Sequence, residues 1–322
     1  MSSVNEAKQY IKNIEKQLVN SNTKKTIIVD CDPGIDDALA LLLLAENLDK
    51  VDLKLISSCA GNTPIDITTK NIQFFAENFF NGVRIAKGSK QPLVKKNKTD
   101  ASDVHGLSGL GDYVIGEQHY PCELNAVESM KDVILNSKEK VTILALGPLT
   151  NIAKLFIQYP ETKENVEKIY SMIGSINGDG NITSYAEFNA YFDPESFDIV
   201  SKCDVPMVIN PMELGNETRI KKEVFAKMPT ETIKDNFVKV LAESINETVD
   251  PTCICLYDLN TVLALCHPEF YEFIPCYIKV FVNPEIGGKT ILEQNKNGIH
   301  AYQKVVDEDK LNKYILKTLF KN

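Results

Sequence analysis

The stretch T-I-I-V-D-C-D-P-G-I-D-D-A-L-A-L-L-L-L, from Thr26 to Leu44, constrains the fold more than any other part of the chain. Thr26 to Val29 is β-branched and apolar and reads as a buried strand. Pro33 blocks continuation of strand or helix at Asp32, and Gly34 permits a sharp turn. Asp36 and Asp37 then open a helix whose apolar run, Ala38 to Ala45, is long enough to be buried. Asp30, Asp32, Asp36 and Asp37 therefore crowd at the carboxyl end of a strand, where open α/β sheets place ligands. Crowded carboxylates raise each other's pKa or repel. A bound cation holds them ionised together, and an all-oxygen ligand set suits a hard ion, Ca2+ or Mg2+. Helix capping would account for Asp36 and Asp37, but not for Asp30 and Asp32.

After this unit, apolar strands alternate with helical patterns. Strands are expected at Leu53 to Ser58, Val83 to Ala86, Val141 to Leu146, Ile169 to Ile173 and Pro206 to Ile209. Helices are expected at Thr68 to Phe80, Ser129 to Asn136, Leu149 to Gln158 and Pro194 to Lys202. That alternation predicts right-handed crossovers and an open, mostly parallel α/β sheet flanked by helices. Glu213 to Leu265 reads as more helical, and Tyr277 to Val282 with Thr290 to Leu292 reads as a hairpin about Gly287-Gly288. Residues 1–24 are polar, with Val4, Ala7, Ile11, Ile14 and Leu18 on one helical stripe. The expected organisation is an N-terminal helical extension, 1–24, before a single α/β domain, 25–322.

A net charge of -9 argues against binding a nucleic-acid backbone or an anionic membrane. No apolar run of about 18 residues suggests a membrane span, and no signal peptide is recognisable at the start, so a cytoplasmic protein is expected. The 8 cysteines contain no C-x-x-C and read as reduced, mostly buried thiols.

Further Gly and polar clusters follow the strands, where functional loops belong. They include Ala60-Gly61-Asn62, Val104-His105-Gly106, Gly147-Pro148-Leu149-Thr150-Asn151 and Glu187-Phe188-Asn189 followed by Asp193-Pro194-Glu195. The D-x-D after a strand resembles haloacid-dehalogenase-type phosphatases, in which the first Asp, here Asp30, is a nucleophile. Gly34 departs from that pattern, as does the lone acid of Gly178-Asp179-Gly180-Asn181.

These motifs taken in order, headed by Asp30-Cys31-Asp32-Pro33-Gly34-Ile35-Asp36-Asp37-Ala38, resemble the nucleoside hydrolase family, the inosine-uridine-preferring type of nucleoside N-ribohydrolase. The resemblance runs from about Lys25 to beyond residue 300. It implies a Ca2+ bound by Asp32, Asp37, the backbone carbonyl of Leu146 and a late aspartate, Asp258. It places Asp36, Asn62, Asn181, Glu187 and Asn189 on the ribose hydroxyls or the reacting water, Asp30 behind the ligands, and Phe188 and His105 in the pocket lining. It also implies a homodimer or homotetramer. One departure stands out. Inosine-uridine-preferring members carry a His before the late aspartate, linked to protonating the leaving base, whereas this chain has Tyr257-Asp258.

The implied reaction is hydrolysis of a ribonucleoside to base and ribose through an oxocarbenium-like transition state. Asp32 is the expected base, touching both metal and water. Asp36, Asn62 and Asn189 would hold the ribose diol. Tyr257 would donate its proton or stack on the base, and His105 would donate to a pyrimidine-like leaving group. The competing readings are a Mg2+-dependent phosphatase with Asp30 as nucleophile, and a nucleoside-binding relative without turnover.

Overall fold

The computed structural model describes residues 24–94, 100–227, 231–245 and 250–320. The helix expected over the first 24 residues lies, but for Lys24, outside the described residues. The central sheet has nine strands: β1 (Lys25–Cys31), β2 (Val51–Ser58), β3 (Arg84–Lys87), β4 (Val141–Ala145), β5 (Val166–Met172), β6 (Met207–Asn210), β9 (Tyr271–Val280), β10 (Thr290–Gln294) and β11 (His300–Val305). Their order is β10-β9-β11-β6-β5-β4-β1-β2-β3. The run from β11 to β3 is parallel throughout, and β9 and β10 add antiparallel to its end. This is the mostly parallel α/β sheet the alternation predicts.

Strand β1 is flanked by β4 on one side and β2 on the other, with Asp30 opposite both Ala145 and Ser57. The chain leaves β1 toward β2 and β3, then returns to the far side of β1 for β4, β5 and β6. The order therefore reverses at β1/β4, and the crevice outside their carboxyl ends is where such sheets receive ligands.

Both faces of β1 are covered, as a parallel sheet requires. Ile27 and Val29 join one core cluster and Ile28 the other, following the two-residue period of a strand. The first cluster holds helix Ile35–Ala45, apolar almost all round and buried against helix Tyr257–Cys266. The second holds helices Ala126–Asn136, Thr150–Gln158 and Pro194–Ser201. All 8 cysteines are free thiols.

Two parts differ from expectation. The region read as helical also pairs β7 (Arg219–Lys221) with β8 (Cys253–Cys255) in a small antiparallel sheet. Three-residue strands carry too little pattern to register in sequence. Strand β11 and the final helix Glu308–Leu319 were likewise not expected. The sequence of β11, H-A-Y-Q-K-V, lacks the apolar run of the central strands, and β11 is a strand because β6 and β9 pair with it.

Candidate active site

The strand-to-helix turn delivers its aspartates to the crevice at β1/β4. Asp30, Asp32 and Asp37 are all but fully buried, as is Asp258 at the start of helix Tyr257–Cys266. One carboxylate oxygen of Asp32, Oδ2, accepts the backbone N–H of Asn62 at 2.7 Å. The other, Oδ1, is buried and has no hydrogen-bond partner. Two glycines make room for this carboxylate. A β-carbon on Gly61 would lie 1.9 Å from Asp32 Oδ2, and one on Gly147 would lie 2.2 Å from Oδ1.

Asp37 accepts from the backbone N–H groups of Asp32 (3.3 Å) and Gly34 (3.1 Å), and from the Asn62 amide at 3.0 Å. It also shares a hydrogen bond with Asp258. Desolvation, then repulsion from Asp36, pushes Asp37 up to about 7. Desolvation and the neighbouring aspartates raise Asp32 and Asp258 well above the carboxylate range. Carboxylate oxygens of Asp36, Asp37 and Asp258 lie within 4.8 Å of one another. That trio is not the expected set, which has Asp32 in place of Asp36. Four crowded carboxylates, three buried with raised pKa, and one orphaned oxygen fit a hard cation.

Asp30 sits behind this group. Its Oδ1 accepts Ser57 Oγ at 2.6 Å and Asn151 Nδ2 at 2.8 Å, and burial lifts its pKa to about 7. Asn151 also donates to Ser58 O and accepts from Ser89 N. A carboxylate sealed in this way cannot reach a phosphoryl group.

The expected ribose ligands divide. Asn189 donates to the carbonyls of Leu146 (2.9 Å) and Met172 (3.0 Å), so it reaches the backbone oxygen expected to face the metal. Glu187 caps the short helix Phe188–Phe192, accepting the N–H groups of Gly174, Asn189 and Ala190. Desolvation nonetheless lifts its pKa to about 7. Phe188 packs beside Phe192, Ala60 and Ile65. Asn181 is exposed in the loop before residue 186, its backbone N–H bonded to Ala186 O.

His105 is buried, and its Nδ1 accepts the N–H of Ile35 at 3.1 Å. That bond places the ring proton on Nε2. Desolvation lowers the pKa, partly opposed by Asp36 at 3.9 Å. The Tyr257 ring lies over Gly215, where a β-carbon would come within 2.1 Å of it, and its hydroxyl donates to Asn216 Oδ1 at 2.5 Å.

The family model described as inosine-uridine preferring nucleoside hydrolase matches residues 27–315. The chain belongs to that family. The non-specific ribonucleoside hydrolase RihC of Klebsiella pneumoniae subsp. pneumoniae is 33% identical over 255 residues, covering 79% of this chain and 83% of that protein. RihC of Salmonella paratyphi A is 32% identical over 269 residues, covering 83% and 88%. Among solved structures, a plant nucleoside hydrolase, the PpNRh1 enzyme, superposes with a TM-score of 0.86 at 22% identity, covering 93% of this chain and 100% of that one. A purine-preferring ribonucleoside hydrolase from Gardnerella vaginalis gives 0.83 at 22% identity, covering 92% and 98%.

For this member of the nucleoside hydrolase family the phosphatase reading falls, on the family match and on the sealed Asp30. The sequence reading also missed partners. Asn151, noted only as part of a loop motif, holds Asp30. Ser57, Asn71 and Asn216 carried no signal, because each acts on a group remote in sequence.

Proposed function

We propose that the chain is a Ca2+-dependent ribonucleoside hydrolase that releases base and ribose, with Asp32 as the base toward water. The carrying observation is Asp32 Oδ1, a buried carboxylate oxygen without a partner at the strand-order reversal. Asp32, Asp37, Asp258 and the Leu146 carbonyl would hold the ion, with Asp36 close by. When bound, the ion supplies Lewis acidity that brings the pKa of an adjacent water toward neutrality.

Asp32 Oδ1 then accepts the water proton while Oδ2 stays anchored on Asn62 N–H, so the base does not swing. Asp36, Asn62, Asn181, Glu187 and Asn189 orient the ribose, so that the anomeric carbon faces the water. Asn62 and Asn189 spend their amides on Asp37 and Leu146, and Glu187 is held by three backbone N–H groups. Glu187 therefore contributes by fixing the Phe188-Asn189 turn as well as by any contact of its own.

At the leaving-group side, His105 offers its Nε2–H as a hydrogen bond to the departing base and, held neutral by the Ile35 N–H on Nδ1, keeps that proton. The Tyr257 hydroxyl proton is already committed to Asn216, and a phenol with a reference pKa of about 10 is a weak acid. Tyr257 stacks on the base, its ring fixed over Gly215. The family resemblance extends the proposal to a homodimer or homotetramer, which light scattering would count.

The test is release of reducing sugar from a panel of purine and pyrimidine ribonucleosides, with and without a strong Ca2+ chelator, and with Asp32→Ala as control. Chelator-sensitive turnover that disappears in Asp32→Ala is expected. Nucleoside binding without turnover would favour the non-catalytic relative.

A further inference from the structure

The His105 segment and the carboxylate turn are 70 residues apart between Ile35 and His105, and no sheet joins them. Only one turn of helix, Ser102–His105, gives that segment regular structure before helix Ala126–Asn136. Asn71 lies between the two. It belongs to helix Ile65–Asn78, which is anchored in the core by Ile72 and Phe75, and it is 1% exposed. Its amide donates one hydrogen to Pro33 O at 3.0 Å and the other to Ser108 O at 2.9 Å. Pro33 is the residue after Asp32, and Ser108 is in the His105 segment.

The junction is tight from the other side as well. Gly109 has φ +73, and a β-carbon there would lie 2.7 Å from Pro33 O and 3.0 Å from Asn71 Nδ2. Only a side chain with two hydrogens on one nitrogen joins both carbonyls in this way. Aspartate would set acceptors against acceptors, and alanine would leave two carbonyls without their partner.

We propose that Asn71 is a positioning residue for hydrolysis, holding the His105 segment against the carboxylate turn. The role rests on the reading of His105 as the donor to the leaving base. A rigid helix thereby sets the distance between the group that activates water and the group that serves the departing base. Misplacement by a fraction of an ångström at such a junction is costly in rate.

The experiment compares Asn71→Ala, His105→Ala and the double variant, with uridine and inosine as substrates. Asn71→Ala is expected to lower kcat on the order of 10- to 100-fold, with KM changing less. Added to His105→Ala, it should cost less than about twofold more, since its effect passes through a group already removed. Calorimetric Ca2+ affinity should stay within about twofold of the unmodified enzyme. Gly109→Ala presses on the same junction from the loop side and should show the same non-additivity, whether or not Asn71→Ala folds.

Losses that multiply in the double variants would overturn the proposal. So would a fall in Ca2+ affinity that accounts for the loss, or a lowered Tm with unchanged kcat. An unchanged kcat in His105→Ala alone would overturn the reading of His105, and Asn71's role with it.

Discussion

The two sides of the crevice are built differently. The carboxylate side is carried mainly by one contiguous turn, Asp30 to Asp37, mounted on the central strand, joined by Asp258 from a helix start and given room by Gly61 and Gly147. The side proposed to meet the leaving group is assembled from distant segments: His105 from a single helical turn in an otherwise irregular stretch, and Tyr257 from a helix start leaning on Gly215 and Asn216. On the first side a one-atom displacement would uncover or collide with buried charge. On the second, in the proposed function, a change of the Tyr257 side chain acts first on the contact with the base, while Asp258 is held by the helix that follows it.

The largest effect should come from Asp32→Ala, with kcat lower by on the order of 10³-fold or more. Gly61→Ala and Gly147→Ala should approach it, because each β-carbon would overlap the Asp32 carboxylate. Gly116→Ala, with nothing within 4 Å of its β-carbon, should leave the rate unchanged. If all three glycine variants keep normal activity, the carboxylate side is more compliant than the contrast allows.

Cation removal comes next. In the metal-free protein, Asp37 titrates near 7 in the fold against an ordinary 3.8. A raised carboxylate pKa means stability that is full below the ordinary value and is lost as pH rises through the folded one. The metal-free enzyme should therefore lose stability across that window, and Ca2+ should restore it. Scanning calorimetry should show a Ca2+-induced rise in Tm that is larger at about pH 8 than at about pH 5.5, since protons compete for the same carboxylates. At a hundredfold excess over Kd the stabilisation is roughly 2.7 kcal/mol. An equal rise at both pH values would dissociate the ion from Asp37.

The smallest effects belong to Tyr257. Tyr257→Phe removes the bond to Asn216 and should change kcat/KM by less than about tenfold, near the 1 kcal/mol of a single hydrogen bond. Tyr257→Ala also removes the ring and should cost more, mainly in KM. If Tyr257→Phe matched Asp32→Ala in loss, Tyr257 would be the acid and the contrast between the two sides would fail.

Much of the site was legible because contiguous motifs carried it. The apolar strand, Pro33-Gly34 and the apolar helix fix where Asp30, Asp32, Asp36 and Asp37 go, since a strand end and a helix start leave little freedom between them. The parallel sheet followed from alternation alone. Less was readable where the partners are remote. Nothing near Asn71 announces that its amide joins Pro33 to Ser108, and nothing near Asn151 announces Asp30. The short strands β7 and β8 fall below the length at which periodicity speaks.

The sequence by itself determined the fold class, the family and the place of the acidic turn, because hydrophobic period and turn chemistry are local properties. Only the tertiary structure decided which carboxylate oxygen stays without a partner, which asparagines brace which loops, and where the Tyr257 hydroxyl proton goes. Those depend on which buried polar groups meet after the chain has folded, and each buried donor or acceptor takes whatever partner the packing brings within reach.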